Sequence, residues 1–86
     1  MWKIFYTKKS RKDILCLDKD AVAQILKKLE NATQKPNTSF EKITGFNYHK
    51  LRAGDYRAIV VLDFKEQIIE VRRVGHRKKI YKNMKN

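Results

Sequence analysis

Basic and aromatic side chains concentrate in two short stretches of the C-terminal half, and these residues have the clearest chemical potential. The first stretch runs from Tyr48 to Arg57, and the second runs from Val74 to Tyr81 and contains His76. Successive side chains of a β-strand point to opposite faces. A strand in the first stretch would therefore place Tyr48, Lys50 and Arg52 in a row on one face. Such a row of polar groups would share one anionic target. The other face would take His49 and Leu51.

The target that such a row suits best is an RNA phosphodiester. Cleavage of that bond by the 2′-hydroxyl of the RNA would need a base, cationic donors for the extra charge, and help for the departing 5′-oxygen. An arginine fork binds two phosphate oxygens and stays protonated, so we assign this role to Arg57 and Arg77, with Arg52 assisting. Lys50 could hold charge or act as the base. An imidazole titrates near neutrality, so His76 could be acid or base.

Each assignment competes with an ordinary structural explanation. Arg57 could simply pair with Asp55 or Glu70, and His76 could hold a strand end through a backbone hydrogen bond. Tyr48 is balanced between packing and stacking on a base. Basic tails are also common solvated ends. The residues that we assign to RNA binding are Tyr48, His49, Arg52, Arg73, Lys78 and Lys79.

The charge balance points to an anionic partner. The chain of 86 residues has 21 Lys and Arg against 9 Asp and Glu, a net charge of +12. Self-repulsion of this size opposes compactness, and an anionic partner relieves it. Nucleic acid is the first candidate, a membrane surface the second and an acidic protein the third. The length suits a single domain, residues 1–86.

Other function classes find little support. Cys16 falls within a helical pattern and is predicted to be a small buried hydrophobe. His49 and His76 are far apart with no second cysteine, so no metal site or other cofactor is predicted. No apolar run approaches the roughly 18 residues of a membrane span. We therefore expect a cytoplasmic protein with no membrane partner.

Hydrophobic periodicity predicts two helices after a first strand at residues 2–6. A short helix within residues 7–17 is capped near Ser10 or slightly earlier. A second helix is capped by Asp18 or Asp20 and ends before Pro36. Its apolar stripe follows helical spacing: Val22, Ile25, Leu26 and Leu29.

The C-terminal half changes to the period of strands. Residues 36–44 are predicted to be a polar connection from which Phe40 and Ile43 reach the core. Strands follow at residues 48–52, 56–64 and 68–74, with Gly54 in a tight turn. The predicted fold is α+β in the order β-α-α-β-β-β, with a two-helix hairpin on one face of a small, twisted, mainly antiparallel sheet. Basic residues and a tail anchored by Ile80 and Tyr81 take the other face.

Two motifs make a resemblance specific: Leu51-Arg52-Ala53-Gly54-Asp55-Tyr56-Arg57 and Val74-Gly75-His76-Arg77-Lys78-Lys79-Ile80-Tyr81. Together with the element order, they resemble the RelE/ParE superfamily of toxins from toxin–antitoxin operons, and most closely its RelE branch. The resemblance covers nearly the whole chain and implies the RelE-like microbial ribonuclease fold. By motif position, functional residues of the family match Lys50, Arg52, Arg57, Arg77 and Tyr81.

The resemblance also implies a function. RelE-type toxins are ribosome-dependent mRNA endonucleases that cut in the decoding site by transesterification with the 2′-hydroxyl of the message, without a metal. They inhibit translation and are held inactive by a cognate antitoxin. The expected partners are therefore an antitoxin and the ribosome with its mRNA. Two alternatives remain open, a ParE-like inhibitor of DNA gyrase or another topoisomerase without catalysis, and a basic nucleic-acid-binding module. The base also stays open among Lys50, His49, His76 and Tyr81.

Overall fold

A five-stranded sheet and two main helices build the part of the fold that the computed structural model describes, residues 1–83. The strands are β1 (Lys3–Tyr6), β2 (Glu41–Lys42), β3 (His49–Ala53), β4 (Tyr56–Asp63) and β5 (Ile68–His76). The helices are α1 (Lys8–Leu15), α2 (Lys19–Ala32) and the single turn α3 (Pro36–Ser39), and a 3₁₀ turn spans Ile80–Asn83. The α+β class is confirmed. The predicted connection at residues 36–44 also contains α3 and β2, and β5 continues two residues beyond the predicted end, through His76.

The sheet has the strand order β1-β5-β4-β3-β2. β1 pairs in parallel with β5, and the other neighbours pair antiparallel, as the prediction of a mainly antiparallel sheet requires. β4 lies in the middle, where Ala58, Ile59 and Val60 are at most 1% exposed. A strand covered on both faces has an unbroken apolar run. This explains the continuous hydrophobic sequence of β4.

Side-chain oxygens set the start of both helices. Thr7 caps α1, because its hydroxyl oxygen accepts a hydrogen bond from the Ser10 backbone N–H at 3.2 Å. The cap is the earlier of the predicted positions, three residues before Ser10, whose hydroxyl is fully buried and donates to the Thr7 carbonyl at 2.9 Å. Asp18 caps α2 by accepting from the Ala21 N–H at 2.8 Å, as predicted. Each cap satisfies a backbone donor at the free end of a helix.

The buried side of α2 differs slightly from the predicted stripe. Ile25 and Leu29 are fully buried as expected, but Leu26 is 37% exposed. The remaining buried positions of α2 are small, Ala21 and Ala32. The buried stripe therefore runs through Ala21, Ile25, Leu29 and Ala32, and Leu26 lies at its edge. No helix within residues 1–83 is long and apolar enough to cross a membrane.

The prediction for Cys16 is wrong. The helix α1 ends at Leu15, and Cys16 is its exposed C-terminal cap residue. The apolar pattern that suggested burial continues through Leu17, but the helix stops before it. A side chain beyond the last turn no longer follows the helical stripe, and Cys16 consequently faces solvent.

Alternation along the strands separates two sheet faces. Leu51 and Ala53 of β3, with Ala58 and Val60 of β4, join the core cluster formed with α2. The intervening residues of β3 and β4 therefore point to the opposite face. Phe40 is buried in the same core as predicted, although the segment before it is helical.

Candidate functional site

The sheet face opposite α1 and α2 carries three of the predicted cations, Lys50, Arg52 and Arg57. We call it the basic face and define it by Tyr48, Lys50, Arg52, Arg57 and Tyr81. Lys50 lies opposite Ile59, and Arg52 lies opposite Arg57 in the antiparallel register of β3 and β4. Residues directly opposite each other share a face. The structure thus brings together the strand cations that the sequence predicted to lie together.

Arg57 is the most buried cation of the basic face, only 7% exposed. Its Nη1 donates hydrogen bonds to the carbonyls of Gly54 and Tyr56, both at 2.8 Å. The two carboxylates expected as alternative partners are engaged elsewhere, Asp55 with Arg77 and Glu70 with Arg72. Two carbonyls therefore fix the guanidinium without neutralising its charge, a suitable arrangement for an anion-binding group.

Arg77 lies at the corner next to Arg57. Its backbone N–H donates to the Asp55 carbonyl at 2.8 Å, and its Nε is 4.0 Å from the Asp55 carboxylate. Gly54 adopts a φ of +61°, which permits the tight turn as predicted. The turn between β3 and β4 thus holds Arg57 by one carbonyl and Arg77 by the next.

The C-terminal turn brings an aromatic ring to Lys50. Ile80 is 5% exposed and packs beside Gly75, where a Cβ added to the glycine would lie 3.8 Å from the Ile80 Cβ. This contact confirms Ile80 as an apolar anchor, whereas Tyr81, which was predicted to anchor the tail with it, is 40% exposed. Tyr81 then lies with its ring centroid 5.8 Å from the Lys50 Nζ, within cation–π distance. The tail consequently completes the basic face.

A carboxylate that the sequence analysis missed lies between two of the cations. Glu41 of β2 has one oxygen 3.9 Å from the Lys50 Nζ and the other 3.9 Å from the Arg52 Nε. The Glu41 side chain is 59% exposed, so these contacts are long and water-screened. A two-residue strand gives no periodic signal, and only the pairing of β2 with β3 places Glu41 here.

The two histidines lie away from the strand cations. His76 is paired with Tyr56, and the two rings meet edge to face at 5.7 Å on the helix side of the sheet. Its Nδ1 accepts a hydrogen bond from the Lys78 N–H at 3.1 Å. His49 alternates with Lys50 and likewise points to the helix side, where burial, followed by the charge of Lys42, lowers its pKa. His76 and Lys50 were predicted to lie on one surface, but they lie on opposite faces of the sheet. The residue of β5 that faces the basic side at this point is Gly75, which is opposite Arg57.

Arg73 is held by an acidic partner from α1. Its Nε and Nη2 donate to the two oxygens of Asp13 at 2.8 and 3.3 Å, and the Val74 N–H donates to the same carboxylate at 3.0 Å. The hydrogen bond to Asp13 raises the pKa of Arg73 against the effect of burial. Arg73 therefore has a structural role that the sequence did not reveal.

The remaining predicted RNA-binding cations follow the end of β5. Lys78 is exposed, and Lys79 lines a recess of about 340 Å³ beside His76 and Arg73. Their binding roles, like that of His49, stay predictions. Residues 1–83 contain no cluster of three or more His, Cys, Asp or Glu side chains arranged for a metal ion.

Comparison with known proteins decides the family. The model of the ParE toxin of the type II toxin–antitoxin system, parDE, matches residues 4–81. The chain belongs to the ParE toxin family. This family is part of the RelE/ParE superfamily, so the protein is a toxin of a type II toxin–antitoxin system. No curated protein sequence matches the chain significantly.

Solved structures of RelE toxins share the fold of this ParE-family toxin. The Methanococcus jannaschii RelB–RelE antitoxin–toxin complex has a chain with 27% identity and a TM-score of 0.74, covering 94% of this chain and 99% of that one. A chain of the Mycobacterium tuberculosis RelBE2 complex has 19% identity and a TM-score of 0.79, and the match covers 88% of this chain and 98% of that one. A chain of the intact Escherichia coli RelBE complex has 22% identity and a TM-score of 0.76, and the match covers 88% of this chain and 96% of that one.

Proposed function

We propose that this toxin is a metal-independent mRNA endonuclease that acts on the ribosome and inhibits translation. The observation that carries the proposal is Arg57, a buried guanidinium held by two carbonyls on a sheet face shared with Lys50 and Arg52. Fixed positive groups lower the energy of a transition state most when they need no rearrangement during the reaction. The likeness of the fold to RelE toxins supports the same conclusion.

In this proposal, the arginines bind the reacting phosphate. Arg57 holds the phosphate oxygens as negative charge develops, and exposed Arg77 approaches from the neighbouring corner. Arg52 assists from the strand beside Arg57. The 2′-oxygen of the RNA forms a bond to phosphorus while the bond to the 5′-oxygen breaks. The products are a cyclic phosphate and a 5′-hydroxyl end, whose oxygen takes its proton from water.

We propose a base from the four candidates by the side of the sheet on which each one lies. His49 and His76 point to the helix side, whereas Lys50 and Tyr81 share the basic face at 5.8 Å. We therefore assign acceptance of the 2′-hydroxyl proton to Lys50. Tyr81 positions the lysine through its ring. The ribosome supplies the remaining orientation of the substrate, which makes the isolated protein slow on free RNA.

The proposed partners are an antitoxin and the ribosome with bound mRNA, both met in the cytoplasm. The solved relatives include complexes with RelB antitoxins. An antitoxin of complementary acidic character would also neutralise part of the net charge of +12. Exposed apolar side chains offer it a surface beside a hollow lined by Tyr6, Arg11, Ile14, Leu15 and Leu26.

A translation extract tests the endonuclease directly. Addition of the toxin should stop protein synthesis and produce cuts within the coding region of ribosome-bound messages. The new ends should carry a cyclic phosphate and a 5′-hydroxyl, the products of attack by the 2′-hydroxyl of the RNA itself. Inhibition that leaves every message intact would refute the nuclease.

A second candidate is inhibition of DNA gyrase or another topoisomerase, and the match to the ParE family model favours it. In that case the basic face docks on a protein–DNA complex and performs no chemistry. A supercoiling assay separates the two functions. Loss of supercoiling without RNA cleavage would select the topoisomerase, whereas message cleavage with normal supercoiling would select the ribosome.

A further inference from the structure

We propose that a hollow on the basic face, lined by Asn47, Tyr48, Val61 and Arg72, binds one base of single-stranded RNA. This inference deepens the proposed function and rests on it, because it adds a base site to the surface that holds the phosphate. The hollow has a volume of about 260 Å³. Sites for drug-sized ligands usually occupy about 300–1,000 Å³, so this smaller space suits a single flat ring system.

The position of the hollow connects it to the cationic site. Tyr48 precedes Lys50 by two residues, and Val61 follows Ile59 by two residues, so each pair shares the basic face. Two residues of strand span about 6.5 Å. A nucleotide whose phosphate lies at Lys50 and Arg57 can therefore place a neighbouring base beside Tyr48.

The walls of the hollow offer the contacts that a base uses. The Tyr48 ring provides a stacking surface, and the Val61 side chain provides an apolar floor. The Asn47 amide and the Arg72 guanidinium can hydrogen-bond to the edge of the base. Proteins that recognise single-stranded RNA combine these elements, aromatic stacking with hydrogen bonds to base edges.

Neighbouring groups hold Tyr48 and Arg72 in place. The Phe46 ring lies 6.3 Å from the Tyr48 ring at an interplanar angle of 33°. Arg72 Nη1 donates to the Glu70 carboxylate at 3.0 Å. Groups fixed before binding lose less conformational entropy when the ligand arrives.

A β-bulge aims Arg72 at the hollow. The pairing of β4 with β5 moves from Ile59 opposite Arg73 to Val60 opposite Val71, which leaves Arg72 as the extra residue. Bulges redirect a side chain and are common next to functional sites. In a regular strand, Val71 and Val74 would point to opposite faces because they are three residues apart. The bulge at Arg72 allows both valines to lie in the core.

The electrostatics favour an RNA base over an acidic side chain of a protein partner. Glu70 offsets the charge of Arg72, so the hollow does not present an uncompensated cation. The Tyr48 ring and the Asn47 amide add no charge to the hollow. A neutral flat group with a polar edge satisfies all of these walls, whereas a carboxylate would face Glu70.

Binding of short RNA oligonucleotides tests the site without requiring cleavage. A 2′-O-methyl group at each nucleotide blocks attack by the 2′-oxygen, and an abasic residue is placed at each position in turn. One position should show a loss of affinity of at least about fivefold when its base is removed, because stacking of a base on an aromatic side chain contributes substantially. Tyr48→Ala should abolish this difference, and Tyr48→Phe should retain it.

Arg72→Ala should also reduce the dependence on the base. Its matched control is Arg11→Ala, which removes one positive charge from the helix α1 and should leave the ratio between intact and abasic RNA unchanged. If abasic RNA binds as tightly as intact RNA at every position, the base site is refuted even when ribosome-dependent cleavage occurs. If the base dependence is found and is lost in Tyr48→Ala but no message is cut, the base site stands and the nuclease fails.

Discussion

Arg57 and Arg77 are held by consecutive carbonyl groups of one turn. The Gly54 carbonyl accepts from the Arg57 guanidinium, and the Asp55 carbonyl accepts from the Arg77 backbone N–H, both at 2.8 Å. One turn therefore sets the spacing between two arginines that are 20 residues apart in sequence. Arg57 is buried and Arg77 is exposed, so substitutions can separate their chemical roles from their contributions to stability.

Arg77→Ala should reduce message cleavage by about 100-fold, the effect expected for loss of one charge-stabilising donor. Because the side chain is 53% exposed, the free energy of unfolding should change by less than about 0.5 kcal/mol. Ribosome-dependent cleavage and chemical denaturation measure the two effects. Arg11→Ala removes an equal charge from α1 and serves as the control. Equal cleavage by Arg77→Ala and the unsubstituted toxin would remove Arg77 from the site.

Tyr81→Phe should retain most of the cleavage activity, because it keeps the ring that contacts Lys50. Tyr81→Ala should reduce the cleavage rate by about tenfold or more, because the Lys50 amine is then no longer held in position. Single-turnover cleavage on programmed ribosomes is the measurement. A loss in Tyr81→Phe as large as that in Tyr81→Ala would instead assign the proton transfer to the tyrosine hydroxyl.

Glu41→Gln should increase the affinity for single-stranded RNA by about two- to fivefold, in the range of exposed charge interactions. The substitution removes a carboxylate that lies 3.9 Å from both Lys50 and Arg52 and repels phosphate. Glu66→Gln makes the same charge change in the exposed turn before β5. RNA-binding titrations at low salt compare the two variants, and only Glu41→Gln should bind more tightly. An equal gain in RNA affinity in both variants would show an effect of net charge alone.

Asp13→Ala should lower the free energy of unfolding by about 1–3 kcal/mol, the cost of leaving partly buried donors without an acceptor. The carboxylate accepts from Arg73 twice and from the Val74 N–H. Denaturant titration compares this variant with Glu66→Ala, which removes one exposed carboxylate. A change of less than about 0.5 kcal/mol would mean that water replaces Asp13 at the edge of β5.

The pKa of His49 gives the toxin a component of pH-dependent stability. Burial and Lys42 lower the pKa of the folded histidine below its ordinary value of about 6.5. The unfolded chain consequently binds this proton first, so the contribution is complete above about pH 6.5 and is lost as the pH falls through the folded pKa. His49→Gln should lose less stability than the unsubstituted toxin between about pH 7 and 5.5. Parallel curves would refute a role for His49 titration.

Several features followed from the sequence alone. Period-two spacing placed Lys50 and Arg52 on one face, because alternation is a local property of any strand. The unbroken apolar run of β4 indicated a central strand, and Gly54 indicated a tight turn of positive φ. The Asp18 cap and the apolar anchor at Ile80 also follow from local spacing.

Only the tertiary structure decided which distant residues meet. The register of β4 with β5 turned Gly75 to the basic face and His76 away from it. The pairing of the two-residue strand β2 brought Glu41 between two cations, and the position of α1 gave Arg73 its partner Asp13. Such contacts depend on strand register and on long-range packing, which a repeat of hydrophobic residues along the chain does not encode.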